Sequence, residues 1–246
     1  MESESIKDSI YVVMPTYNEE ANIVSVVEEW YPIVEARSDA SRLVIADGGS
    51  KDRTLEILQG LAKKLPKLEV VSKPGTDHGT KVLWLYKHAV ECGAEWVFQT
   101  DSDGQTRASE FDAFWADRER HDAILGNRIA RGDGFSRKVV EYGLRLFVLM
   151  FFGIWVPDAN APFRLMRSSV LKDYLQLMPD GFNLPNAVVA ACFAKRKNRT
   201  SFRPITFLPR QGGKNFMNYR RIADIAIGSL RNFYHVRQEM KKAGIL

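Results

Sequence analysis

The stretch Trp96-Val97-Phe98-Gln99-Thr100-Asp101-Ser102-Asp103-Gly104-Gln105 passes from apolar to polar within a few residues. Its first part reads as the end of a buried strand, because short apolar runs bounded by turn residues mark strands of a covered sheet. Its second part sets two carboxylates two residues apart, followed by a glycine and a side-chain amide. Asp101, Asp103 and Gln105 make a compact set of hard oxygen ligands, suited to Mg²⁺ or Mn²⁺ held between protein and a phosphorylated molecule. The same pattern also describes a solvated turn, since Asp and Gly are favoured there for backbone reasons. The flanking chain decides between the two.

Upstream, Ile10–Met14 is an apolar run ended by Pro15, with Asn18 as the expected cap of a helix carrying Ile23, Val26, Val27 and Trp30. Leu43–Ala46 is a second strand, and Ser50 is the expected cap of a helix carrying Leu55, Leu58 and Leu61. Strands at 68–71, 95–99 and 123–126 then alternate with helices at 81–92 and 109–120. That alternation predicts an α/β fold, a doubly wound and mostly parallel sheet. Ligands of such sheets sit beyond the carboxyl ends of the strands. The segments Pro15-Thr16-Tyr17-Asn18-Glu19, Asp47-Gly48-Gly49-Ser50 and Asp101-Ser102-Asp103 fall at three such ends, so they are expected to meet at one crevice. Asp47 can accept hydrogen bonds from a base or ribose there, or serve only the strand–turn–helix junction. Neither G-x-G-x-x-G nor G-x-x-x-x-G-K-[ST] occurs.

With 246 residues the chain suits one large domain, read as two continuous halves: 1–130 for a nucleotide and 131–246 for an acceptor. The second half predicts helices near 136–153, 168–177, 185–195 and 220–242, a loop at 157–162 and a strand at 201–208. A net charge of +5 favours anionic partners (nucleotide sugars, lipid phosphates, membrane surfaces), and no nucleic-acid-binding motif is present. Cys92 and Cys192 lack metal-ligand spacing and read as reduced thiols of a cytosolic protein. The polar start, Met1 to Ser5, is unlike a signal peptide. The apolar run Leu146–Val156 is too short to span a membrane, which takes roughly 20 residues. It is either a core helix or one lying in a membrane interface. The last helix sets Ile222, Ile225, Ala226, Ser229, Leu230, Phe233 and Val236 beside Arg220, Arg221, Arg231, Arg237, Lys241 and Lys242. Such a helix packs on the domain or lies on an anionic membrane.

Val13-Met14-Pro15-Thr16-Tyr17-Asn18-Glu19, Asp47-Gly48-Gly49-Ser50-Lys51-Asp52-Arg53-Thr54 and Asp101-Ser102-Asp103-Gly104-Gln105, in this order and spacing, resemble family 2 glycosyltransferases of GT-A fold. The resemblance implies that Pro15, Tyr17, Glu19 and Asp47 hold the nucleoside. It implies that Asp101 and Asp103 hold the metal on the diphosphate, with Asp103 catalytic. Gly48 departs from the family, which usually has a second Asp there. Gly126-Asn127-Arg128, Arg137 and Asp158 to Arg164 resemble the polyprenyl-phosphate sugar transferases, dolichyl-phosphate mannose synthase and its relatives. Gln105 completes their Asp-Xaa-Asp-Xaa-Gln pattern. Arg128 and Arg137 correspond to their phosphate-binding arginines, which makes both catalytic residues beside Asp103 by this resemblance, and Arg210 to Lys214 corresponds to a further basic stretch. Asn160-Ala161-Pro162 departs from their usual sequence.

A physical argument points the same way. A hydroxyl acceptor needs a general base, usually a carboxylate. Between Asp180 and Asp224 the chain has neither Asp nor Glu. A phosphate acceptor is already ionised and needs cations instead, which Arg128, Arg137, Arg164, Arg210 and Lys214 supply, arginine's planar fork suiting phosphate. The same side chains are otherwise solvated surface charges, and Asp180 or Asp158 remains open as a base. The expectation is an inverting, metal-dependent transfer of a sugar from a UDP- or GDP-sugar to a polyprenyl phosphate, at the cytoplasmic face of a membrane. The alternatives are a glycan or small-molecule hydroxyl acceptor, and an inactive nucleotide-sugar-binding regulator.

Overall fold

In the computed structural model the described residues are 8–73, 75, 77–129, 135–195, 199–209 and 219–246; at 135–139, 219–227 and 229 the description covers the backbone only. Seven strands form one sheet: β1 (Ile10–Thr16), β2 (Arg42–Asp47), β3 (Leu68–Ser72), β4 (Trp96–Thr100), β5 (Ala123–Arg128), β6 (Phe163–Arg167) and β7 (Thr200–Ile205), in the order β3-β2-β1-β4-β6-β5-β7. All neighbours are parallel except β6, which runs antiparallel to both β4 and β5.

The helices are α1 (Ile23–Glu35), α2 (Thr54–Ala62), α3 (His78–Glu91), α4 (Phe111–Ala116), α5 (Phe135–Phe152), α6 (Ser168–Leu175), α7 (Pro185–Lys195) and α8 (Tyr219–Lys242). Successive strand residues point to opposite faces, so the sheet feeds two cores. Ile10, Val12 and Met14 of β1 pack with Trp30, Phe98 and Phe163 on one face. Tyr11 and Val13 pack with Tyr86, Phe182 and Phe233 on the other. β1 is buried along its whole length, which fits the unbroken apolar run of a parallel strand covered on both sides.

Several local expectations are corrected. Asn18 does not cap α1; it has φ of 55°, its side chain accepts from Lys51 N, and Asn22 precedes the helix instead. Ser50 does not cap α2; its hydroxyl donates to Asp47 and accepts from Asn18 N, while Asp52 accepts from Thr54 N at the helix start. α3 begins at His78, three residues before the expected start, because the Asp77 side chain accepts from Thr80 N. The expected helix at 109–120 is a short α4 between single 3₁₀ turns. The strand β6 was not expected at all.

Strand order reverses at β1: the chain moves outward to β2 and β3, then returns to β4 on the other side. In an open α/β sheet such a switch point leaves a crevice beyond the carboxyl ends of the strands. The register sets Thr16 beside Asp47 and Val13 beside Gln99, so β1, β2 and β4 finish close together.

Candidate functional site

A cavity of about 650 Å³ occupies this crevice. Its walls include Pro15 and Thr16 at the end of β1 with Tyr17 and Glu19 after it, Gly48, Gly49 and Lys51 after β2, and Asp101, Ser102 and Asp103 after β4. All three expected segments therefore meet at one place. Asp77, His78 and Lys81 from the start of α3 also line it, and the sequence reading did not include them in the site.

Each segment is fixed by bonds that leave its polar face towards the cavity. Ser102 Oγ donates to Pro15 O at 2.9 Å, tying the loop after β4 to the end of β1. Glu19 is buried and accepts from Asn22 Nδ2 at 3.0 Å. Tyr17 is half exposed at the cavity wall. Asp47 is fully buried, and its carboxylate accepts from Gly49 N, Ser50 N and Ser50 Oγ. Asp47 thus fixes the β2–α2 loop from within and is itself absent from the cavity wall, where it was expected to meet a nucleoside; Gly48 and Gly49 line the cavity in its place.

Asp101 rests on a buried polar network. Gln99 Nε2 donates to Asp101 Oδ1 at 3.1 Å, and Asn186 Nδ2 and Tyr86 Oη reach Gln99 Oε1 at 3.2 and 3.3 Å. Tyr86 Oη also donates to Asn186 Oδ1 at 2.7 Å. Burial pushes the Tyr86 phenol well above its ordinary value, so it stays a neutral donor. His78 Nε2 stands 3.6 Å from Asp101 Oδ1 across the cavity.

Among the described residues, no group of three or more His, Cys, Asp or Glu side chains is placed to hold a metal ion. Asp101 and Asp103, two hard oxygen donors on one cavity wall, do fit a cation that completes its shell with phosphate and water, the usual habit of Mg²⁺. Gln105 does not join them. It is buried, absent from the cavity wall, and its Nε2 donates to Leu208 O at 2.7 Å, pinning the loop to the chain beyond β7.

The basic residues fall into three groups. Arg128, at the end of β5, makes a bidentate pair with Asp158: Nε to Oδ2 at 2.7 Å and Nη2 to Oδ1 at 2.8 Å. Burial pulls the guanidinium pKa down, but Asp158 outweighs it and leaves it raised. Arg164 is fully buried and donates to the carbonyls of Ala161, Asn186 and Ala159. The expectation of Arg164 as a phosphate ligand is corrected: it is a strut inside the fold, with no face towards a ligand. The side chain of Arg137 on α5, and all of Arg210 and Lys214, lie outside the described residues.

The two open candidates for a base also have other partners. Asp158 is the buried partner of Arg128. Asp180 is exposed and paired with Lys87 at 2.7 Å, away from the cavity wall.

A mostly parallel sheet with carboxylates and glycines gathered at its switch point defines a GT-A class fold. The chain belongs to glycosyl transferase family 2, whose model matches residues 11–175. It is 26% identical over 213 residues to the glycosyltransferase AglJ of Haloferax volcanii, covering 85% of this chain and 66% of that one. It is 24% identical over 183 residues to the UDP-N-acetylglucosamine–dolichyl-phosphate N-acetylglucosaminyltransferase of Methanococcus voltae, covering 66% of this chain and 71% of that one. Among solved structures it resembles glucosyl-3-phosphoglycerate synthase from Mycobacterium tuberculosis in complex with Mn²⁺, UDP and phosphoglyceric acid. That match has a TM-score of 0.67 at 17% identity, over 94% of this chain and 78% of the other, and it is a likeness of fold. The chain spans between half and two thirds of the length of the curated relatives first matched.

Proposed function

We propose that this chain transfers a sugar from a nucleoside diphosphate sugar to a polyprenyl phosphate, with inversion at the anomeric carbon. The observation that carries the reading is the single cavity into which the ends of β1, β2 and β4 bring Tyr17, Glu19, Gly48, Gly49, Asp101 and Asp103. The nucleoside would lie against Pro15, Tyr17, Glu19 and the Asp47-supported loop. The diphosphate would lie towards Asp101 and Asp103. These two carboxylates would hold Mg²⁺ or Mn²⁺, which when bound neutralises charge on a departing diphosphate. Gln99 and Asn186 keep Asp101 oriented, and a preorganised group costs no rearrangement as charge develops.

The acceptor side favours a phosphate. Asp158 and Asp180 are both committed to cations, so neither is poised as a general base. An ionised phosphate oxygen needs no base, only positive charge, and Arg128, Arg137, Arg210 and Lys214 remain candidates to supply it. The name of the Methanococcus relative includes a dolichyl-phosphate acceptor. No helix among the described residues is long and apolar enough to cross a membrane. α5 nevertheless exposes Leu146, Leu149 and Met150, with Trp155 beyond its end under Arg145. Apolar and basic side chains together suit an anionic membrane surface, and we place the chain peripherally on the cytoplasmic face.

The test is a donor screen with purified protein and Mn²⁺, reading released nucleoside diphosphate with and without a short polyprenyl phosphate. Release that depends on the lipid phosphate is the expected result. Release that depends on a sugar hydroxyl instead refutes the acceptor, and no release with any donor refutes catalysis.

A further inference from the structure

Lys81 is 3% exposed, yet it lines the cavity. Its Nζ donates to Thr16 O at 2.8 Å, the carbonyl that also accepts from Gly48 N. A Cβ placed on Gly48 would come within 2.3 Å of that Nζ. The ammonium therefore fills the space of a side chain at position 48, where the resembled family usually carries an acidic one. An ammonium has three donors, and among the described residues one is taken. Burial pushes the Lys81 pKa down, against the pull of Asp47, Asp77 and Asp101. The two N–H groups of Lys81 left unspent among the described residues mark a place built for a polar acceptor, because buried polar groups left unpaired are costly.

We propose that Lys81 is a specificity residue that reads the donor's nucleobase, donating from Nζ to a carbonyl oxygen so that the site takes a keto-bearing base, uracil or guanine, over adenine. This rests on the nucleoside lying against Tyr17 and Gly48, as in the proposed function. A carboxylate at position 48 could accept only from a base N–H. The ammonium reverses that polarity and needs an acceptor: uracil and guanine present a carbonyl oxygen at O4 or O6, where adenine presents an N6 amino donor that an ammonium cannot bond.

The experiment is calorimetric titration of the whole chain, with Mn²⁺ present, using UDP, GDP, ADP and inorganic pyrophosphate. The wild type should bind UDP or GDP at least about tenfold tighter than ADP. Lys81→Met should weaken the preferred nucleotide by about tenfold or more, the scale of one charge-assisted hydrogen bond. ADP and pyrophosphate should weaken clearly less, because losing one cation of the cavity touches every anionic ligand while the carbonyl bond is lost only with a keto base. Gly48→Ala should act in the same direction with Lys81 still present, because only the flexible end of Lys81 must move to admit the methyl group. It carries the test should Lys81→Met fail to fold. Equal weakening of all four ligands, no change in either variant, or a wild type indifferent to the base overturns the assignment. A wild type that binds none of the nucleotides overturns the donor-site reading itself.

Discussion

Replacing Asp158 with Asn tests the way the fold holds its basic end. Asp158 is fully buried, and the side chain of Arg128 is 11% exposed. Four donors converge on one carboxylate: Arg128 Nε, Nη2 and backbone N, and Asn160 N. Asn keeps the shape but turns an NH₂ towards the guanidinium and leaves that cation buried without its paired carboxylate, only the weaker pull of Glu141 and Asp101 remaining. Breaking a buried pair by removing one partner costs about 3–5 kcal/mol. The small remaining exposure of Arg128 argues for the lower end, about 3 kcal/mol. For a chain of this size that lowers Tm by roughly 6–12 °C, at about 2–4 °C per kcal/mol. Urea unfolding followed by tryptophan fluorescence gives the free energy, and calorimetry gives Tm. The double variant Asp158→Leu with Arg128→Met should lose less than the two single changes together, because removing both charges leaves none unpaired. A cost below about 1 kcal/mol for Asp158→Asn, or strict additivity in the cycle, refutes the account of this pair as a buried structural clamp.

Gly79→Ala places a Cβ 1.7 Å from Asn183 O, a backbone atom that cannot step aside; a loss of about 3 kcal/mol or more is expected by urea denaturation, at or above the usual range for overpacking. Asp103→Asn should abolish nucleotide release in the donor screen while Tm stays within a few degrees, and an unfolded variant would make the carboxylate structural. Asp52 has its pKa held down: burial raises it, but hydrogen bonds from the Thr54 side chain and backbone and from Glu20 N outweigh that. A depressed carboxylate gives stability that is present above the unfolded value near 3.9 and lost as pH falls through the lower folded value. Asp52→Ala should therefore flatten the acid arm of stability below about pH 4, measured as Tm against pH. Changing Leu149 and Met150 of α5 together to Glu should weaken sedimentation with anionic vesicles several-fold while leaving soluble nucleotide binding unchanged.

Much of the frame was legible in the sequence. Strands β1 to β5 show up as apolar runs because a sheet covered on both faces needs them, and the polar motifs lie where those runs end. The helix starts were misread because Asn18 and Ser50 spend their side chains on the loops of the cavity rather than on a cap. β6 escaped notice for a different reason. Its sequence, Phe-Arg-Leu-Met-Arg, carries two charges in five residues, yet Arg164 is fully buried because three backbone carbonyls meet its guanidinium. No local pattern announces partners that come from Ala159, Ala161 and the distant Asn186. Lys81 was hidden likewise: its place in the cavity depends on the missing side chain of Gly48, a neighbour only in space.

The antiparallel β6 has a consequence for biosynthesis. It is inserted between β4 and β5, and among the described residues β5 pairs with β6 and β7 alone. A nascent chain leaving the ribosome thus presents β4 with a bare edge until the partner emerges roughly sixty residues later, a wait of several seconds at about 5–20 residues per second. Throughout that wait the strand bearing Asp101 at its tip is open to mispairing with any other exposed edge. The sheet that carries the cavity is completed on this side by a strand made later in the chain.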